Sequence, residues 1–265
     1  SFYQAQLDSQ PHLGQALREG MREAVKKGQF ELYYQPVVNV VSRRVVAVEA
    51  LLRWRHPAHG LVPPNLFLAV AEDIGVLRQV DAWVIQEAVR QRARWTEAGL
   101  HPFRVGINLS PQRFQEPGLL SQIDKALAEH GVAPGLLGLE VTEGALARNT
   151  QRVAETLTRC HRRGIQIVLD DFGTGFASMS LLKMFPIDVI KVDKSFVDGL
   201  PDDRSDCTLA SAIIGLSQSL GLTAVAEGVE SLAQFDHLIS LGCENMQGFL
   251  IARPLPASSL EPLVR

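Results

Sequence analysis

One pattern constrains this chain more than any other. Short apolar runs, each closed by a polar residue, alternate with stretches whose apolar residues recur at helical spacing. The runs are FRVGINL (103–109), LLGLEV (136–141), IQIVLD (165–170), IDVIKVD (187–193), LTAVAE (222–227) and an ill-defined one near CENMQG (243–248). Unbroken apolar runs of this length suit strands covered on both faces, as in a parallel sheet. Between them, Leu119, Ile123 and Leu127 share a face ahead of Gly131. Val153, Leu157 and Cys160 share another, with Asn149 or Thr150 as cap and Gly164 as stop. Leu209, Ile213, Leu216 and Leu220 share a third after a cap at Ser205 or Asp206. Strand–helix alternation predicts βα units. About eight strands in roughly 250 residues predict a closed (β/α)8 barrel rather than an open sheet.

The opening departs from that rule. Residues 30–40 (FELYYQPVVNV) and 44–52 (RVVAVEALL) read as strands with only residues 41–43 between them. So short a connection permits antiparallel pairing alone. The expected fold is therefore α/β, a modified TIM barrel with an antiparallel first strand. Helices are expected near 65–74 and 80–98. Upstream, Leu13, Leu17, Met21 and Val25 recur at helical spacing, so residues 1–24 are expected to form a lead-in helix and 25–265 the barrel domain. A serine at position 1 suggests a piece of a longer chain.

Composition narrows the function classes. The chain has 26 Lys+Arg against 29 Asp+Glu, a formal charge of −3, which argues against DNA or RNA polymers as partners. No run approaches the ~18 apolar residues of a membrane helix. Cys160, Cys207 and Cys243 are odd in number without CxxC spacing, which reads as reduced thiols and a cytoplasmic domain. The phosphate-loop, nucleophile-elbow, zincin and dinucleotide motifs are all missing. His56 and His59 in HPAHG read as turn residues, and Trp54, Trp83 and Trp95 as packing residues.

Polar residues mark the strand ends: Glu49, Asn108, Glu140, the pair Asp170–Asp171, Lys191, Glu227 and Gln247. In a parallel barrel these ends converge on one face. Carboxylates gathered there repel one another unless a cation lies among them. Oxygen donors without a Cys/His set favour Mg²⁺ or Mn²⁺ over zinc. Two such ions about 3.5–4 Å apart suit phosphodiester cleavage. Lys191 can steady developing charge or orient water. Arg53, following an apolar strand, suits a phosphate oxygen. FGTG after Asp171 is a glycine-bearing loop that lets backbone approach a ligand.

The motifs YQP (34–36), EALLRWRHP (49–57), NLS (108–110), EVTE (140–143), DDFGTG (170–175), IKVDKSFV (190–197), AEGVES (226–231) and QGFLIARPLP (247–256) occur in this order. Together they resemble the EAL domain, the bacterial phosphodiesterase of cyclic di-GMP, over about residues 25–258. The resemblance implies a modified TIM barrel and hydrolysis of one phosphodiester to give linear pGpG. It implies two Mg²⁺ or Mn²⁺ ions held by Glu49, Asn108, Glu140, Asp170, Asp171 and Glu227. Ca²⁺, which prefers more ligands and looser geometry, is expected to inhibit. Lys191 would position the attacking water, and Glu227 has been treated in the family as a general base. Gln247 would hold water or ligand, and Gln35 and Arg53 match substrate-contacting positions. Glu143 matches the residue that anchors the DDFGTG loop, which links the metal site to a homodimer interface.

Phe176 and Ala177 stand where the family often has Tyr-Ser, Gly144 where it usually has Ser or Thr, and QGF replaces QGY. None removes an oxygen ligand; Gly144 is the departure expected to loosen the segment beside Glu143. Residues 1–24 resemble a linker that follows a GGDEF domain. An upstream GGDEF or sensory domain, in a protein anchored to the inner membrane, is the corresponding expectation. The alternative function is a catalytically silent cyclic di-GMP receptor that signals to a partner.

Overall fold

The structure, a computed structural model, describes residues 11–147, 150–174 and 179–264. Strand β1 (Phe30–Asn39) pairs antiparallel with β2 (Arg44–His56), from Phe30↔Trp54 to Asn39↔Arg44. Arg43 turns the corner with a left-handed φ of 56°. The short β3 (Gly60–Val62) folds back on the end of β2. His56 is therefore no turn residue. It closes β2 opposite Gly60, is buried, and packs edge-on against Trp54 with ring centroids 4.8 Å apart.

Beyond this point β4 (Arg104–Asn108), β5 (Leu137–Thr142), β6 (Gln166–Phe172), β7 (Val189–Val192), β8 (Thr223–Ala226) and β9 (Asn245–Met246) run parallel to β2 and to one another. β9 then pairs antiparallel with β1 and closes the ring, while β10 (Leu255–Pro256) flanks β1 from outside. β1 is the reversed strand of the closed barrel because its hairpin is too short for a crossover.

The helices are α1 (Pro11–Lys26), α2 (Pro64–Asp73), α3 (Leu77–Glu97), α4 (Leu119–His130), α5 (Glu143–Ala147), α6 (Thr150–Arg162), α7 (Met179–Met184), α8 (Arg204–Ser219), α9 (Leu232–Ser240) and α10 (Ala257–Leu260). Gly131, with φ 64°, ends α4 as expected. The cap of α8 is Asp203, not Ser205 or Asp206: its carboxylate accepts from the backbone N–H of both, covering two orphan donors of the first turn. α6 begins at Thr150, and Asn149 lies outside the described residues.

The main core fills the layer between strands and helices, with Trp54 and Trp95 fully buried and Trp83 packed at its edge. α1 belongs to that layer: Leu17, Met21 and Ala24 have no exposed surface. The side chain of Leu13 lies outside the described residues. Gly20 lets α1 sit close on β2, since a Cβ there would lie 3.2 Å from both the His56 and Trp54 rings. A second, smaller cluster of Val37, Val168, Val189 and Val225 lines the inside of the barrel. Among the described residues no helix is long and apolar enough to cross a membrane. Cys160 and Cys243 are buried, and burial pushes both thiols up to about 11, so neither is a ready nucleophile.

Candidate active site

Strand register brings the polar strand ends together. Glu49 sits level with Gln35 on β1 and Gly106 on β4, and Asn108 on β4 sits level with Glu140 on β5. At their centre lies Lys191 of β7, 3% exposed. Its Nζ is 2.6 Å from Glu227 Oε1, 2.8 Å from Glu140 Oε2, 3.3 Å from Glu49 Oε2 and 3.4 Å from Asp170 Oδ1. Amides complete the shell. Asn108 Nδ2 donates to Glu49 Oε1 (2.8 Å) and Glu140 Oε2 (3.3 Å). Gln247 Nε2 donates to Glu49 Oε2 (2.7 Å) and Gln35 Oε1 (3.0 Å), and Gln35 Nε2 donates to the Ala252 carbonyl (3.1 Å). Eight of the residues singled out in the sequence thus form one connected network.

One glycine makes room for it. A Cβ on Gly106 would stand 2.1 Å from Glu140 Oε1, well inside contact distance. Gly138, its register partner, meets nothing nearer than 3.5 Å. Gly106→Ala is therefore expected to displace the Glu140 carboxylate and lower turnover by about 100-fold, the usual scale for a misplacement of about 1 Å. Gly138→Ala should stay close to the parent. Equal rates for the two variants would show that the Glu140 position does not matter.

Charge is unevenly balanced here. Four carboxylates face one ammonium, leaving three negative charges when all are ionised. Burial works against a charged Lys191, yet Glu140, Glu227, Glu49 and Asp170 hold it charged far beyond its ordinary range. Glu49 stays ionised although burial opposes this, because Lys191, Gln247 and Asn108 all stabilise its anion. Burial, reinforced by Glu49 and Asp170, lifts Glu140 well above the carboxylate range. Burial, then Asp170 and Glu49, pushes Glu227 from 4.5 up to about 8.

The folded protein therefore keeps a proton on Glu227 that the unfolded chain gives up. Stability of the metal-free protein is expected to fall as pH rises from 4.5 towards about 8. Glu140 acts in the same sense. Melting temperatures measured in chelator across that window check this; a flat or rising profile would show the charge balanced by other means.

The donor set fits a hard cation. Among the described residues no three acidic, His or Cys side chains are already shaped around an empty centre; the carboxylates turn to Lys191 Nζ instead. Their crowding and net charge are nevertheless what divalent ions relieve. Rotating the Asn108 amide would offer its oxygen in place of Nδ2. Above the network a cleft of about 220 Å³ opens at the C-terminal rim, lined in part by Gln35, Asp170, Glu227 and Gln247.

The side chains of the remaining candidates are not among the bonds of this network, although the backbone N–H of Asp171 donates to Asp170 Oδ1 at 3.1 Å. Asp171 follows Asp170 at a register shift in β6 with a left-handed φ of 54°, and it forms no ion pair with Lys191. Burial, Asp170 and Asp193 push its carboxyl up to about 6. Arg53 Nη1 donates to the Leu52 carbonyl (2.9 Å), with its guanidinium 5.6 Å from the centre of the Tyr33 ring. Glu143 begins α5 and is buried, and its Oε2 has no hydrogen-bond partner among the described residues. Gly175, Phe176 and Ala177 of the loop it was expected to anchor lie outside the described residues. Gly144 stands in open space, where a Cβ would meet nothing within 4 Å.

The sequence reading missed Lys194, Glu230 and Phe249, which also line the cleft. Lys194 Nζ lies 2.5 Å from Glu230 Oε1, and Arg253 stacks over Phe249 at 4.1 Å. The available signal was position: Lys194 directly follows the VIKVD strand end, and Phe249 lies two residues beyond Gln247.

Comparison with known proteins places this geometry. The family profile described as the EAL domain matches residues 18–254. The bifunctional diguanylate cyclase/cyclic di-GMP phosphodiesterase MucR of Pseudomonas aeruginosa is 39% identical over 259 residues, covering 98% of this chain and 38% of MucR. The cyclic di-GMP phosphodiesterase NbdA of the same species is 39% identical over 249 residues, covering 94% of this chain and 32% of NbdA. The chain thus spans well under half of either relative. Among solved structures, the PaMucR phosphodiesterase in complex with c-di-GMP superposes with a TM-score of 0.88 at 40% identity, covering 92% of this chain and 99% of that one. With a match from residue 18 to residue 254 and the same barrel around it, the chain belongs to the EAL domain family.

Proposed function

We propose that this chain hydrolyses cyclic di-GMP, opening one phosphodiester to give linear pGpG. The observation that carries the reading is the four carboxylates gathered around Lys191 at the floor of an open cleft. The names of MucR and NbdA, both described as cyclic di-GMP phosphodiesterases, support the substrate.

Glu49, Asn108, Glu140, Asp170, Asp171 and Glu227 would hold two Mg²⁺ or Mn²⁺ ions. When bound, such ions neutralise the phosphate and acidify a water to make it nucleophilic at neutral pH. The protein's own groups do the rest. Lys191 keeps a fixed positive charge at the floor and directs its N–H donors at the attacking water and the developing charge. Glu227 Oε1, in hydrogen-bond contact with Lys191 Nζ, stands where it can take or return a proton. Gln247 and Gln35 form a rigid amide pair that orients water or ligand beside Glu49. Arg53 turns from the Leu52 carbonyl to a phosphate oxygen. Glu143 would anchor the DDFGTG loop, and that loop would link the metal site to a homodimer interface. This chain covers only 38% and 32% of those relatives, which supports a further domain, here an upstream GGDEF or sensory domain; a cytoplasmic EAL domain in a protein anchored to the inner membrane is the rest of the proposal.

Chromatography of cyclic di-GMP incubated with the protein and Mg²⁺ or Mn²⁺ tests the proposal. Linear pGpG is the expected product, and replacing the metal with Ca²⁺ should suppress it. Unchanged dinucleotide despite measurable binding would overturn hydrolysis and establish a receptor instead.

A further inference from the structure

Below the Lys191 layer the barrel is hollow. Barrels of this type are usually filled by layers of branched side chains. Here Gly106 and Gly138 sit level on neighbouring strands, and on β2 small Ala47, level with Arg104 and two residues before Glu49, also lines the space. They leave a chamber of about 240 Å³, walled by Val37, Val168, Val189 and Val225. Glu49, Glu140 and Lys191 form its ceiling. Its lower end is ringed by Arg104, Gln166 and Thr223, at the N-terminal ends of β4, β6 and β8, where Arg104 and Thr223 are exposed. Glu49 is the one residue shared with the lining of the cleft above, so the ion-pair layer separates two spaces that open on opposite rims.

We propose that this chamber is a second binding site, entered from the N-terminal rim, for a small uncharged molecule that is mostly hydrocarbon and carries one hydrogen-bonding group. Size, charge and polarity each restrict the occupant. An apolar cavity of about 150 Å³ already accepts benzene in another protein, so one ring with a short substituent fits here. At the ceiling Lys191 is already paired with Glu49 and Glu140, so no free charge is offered to an ion, and a cation must also pass Arg104 at the entrance. The valine wall rewards hydrocarbon at about 25 cal/mol per Å² removed from water. The side-chain amide of Gln166 makes no hydrogen bond among the described residues and can bind the polar group at the entrance. An occupant presses on Glu140 and Lys191 from beneath, whereas a dinucleotide arrives from above. Binding there slows turnover without competing with the substrate.

Benzyl alcohol is a suitable probe, and methyl NMR of the intact chain reads its binding without reference to activity. The methyls of Val37, Val168, Val189 and Val225 are expected to shift saturably at millimolar probe. Gly138→Leu, built where a Cβ has room, and Val225→Phe, from the opposite wall, fill the chamber independently. Each folded variant should lose about tenfold or more in probe affinity. On the active enzyme, benzyl alcohol should lower kcat with KM for cyclic di-GMP unchanged. Valine methyls that do not move at the solubility limit of the probe would overturn the proposal. So would undiminished affinity in a folded filled variant, or inhibition seen only as a raised KM. Failure of hydrolysis alone would leave the NMR result standing, so this proposal and the proposed activity fail separately.

Discussion

Lys191→Met is expected to abolish hydrolysis and to destabilise the metal-free protein by about 3–5 kcal/mol above neutral pH, the scale for stripping one partner from a buried ion pair. Lys191 is the cation that Glu49, Glu140, Asp170 and Glu227 all face. Methionine preserves the bulk and removes the charge, so cavity formation contributes little. The penalty should shrink near about pH 5, because the carboxylates can then protonate in place of pairing. Mg²⁺ should recover part of the lost stability, since it can bind the vacated anions, but not the activity, because no ammonium remains to hold water. Calorimetry at the two pH values, with and without Mg²⁺, and a turnover assay provide the check. An equal stability loss at both pH values would mean that Lys191 acts through packing rather than charge.

Glu49→Ala is expected to reduce turnover by about 10³-fold or more while leaving the fold intact, as removal of an electrostatic group at the reacting centre does. Its effect on stability should be smaller and different in origin from that of Lys191→Met. Unlike Glu140 and Glu227, Glu49 is held ionised by its neighbours. Its loss leaves the amides of Asn108 and Gln247 short of an acceptor, at about 1–2 kcal/mol. It also removes one of the mutually repelling charges around Glu140 and Glu227. Circular dichroism and thermal melting distinguish this from unfolding. Near-parental turnover in the folded variant would move the reaction centre away from Glu49.

The sequence revealed the scaffold because the scaffold rests on local signals. The hairpin before β2 forces reversal of the first strand by its length alone. The polar residues ending each apolar run mark one rim whatever the detailed register. What stayed hidden depends on relations between strands. That Lys191 becomes the hub follows from how β7 is staggered against β5 and β2, which no single segment encodes. Asp171 was read with Asp170 because they are adjacent; the register shift in β6 and the left-handed φ of Asp171, which leave its carboxylate outside the ion pairs of Lys191, have no signal in the segment itself. The hollow interior was equally hidden, since Gly106 and Gly138 are far apart in the chain and become partners only through pairing. Asp203 escaped notice as a cap because the apolar pattern of α8 fades in its first turn, so the starting residue could not be fixed from that pattern.

The seat of the first helix has a practical corollary for anyone who shortens this chain. A version beginning at residue 25 would match the boundary suggested by patterning, yet it would lose the fully buried Leu17 and Met21 and uncover the Trp54 ring on which Gly20 sits. Two large apolar side chains and the surface they cover are worth about 3–6 kcal/mol. Whole domains commonly hold together by about 5–15 kcal/mol. The trimmed protein would therefore start with much of its thermodynamic margin spent, and the strand exposed first would be the one that carries Glu49.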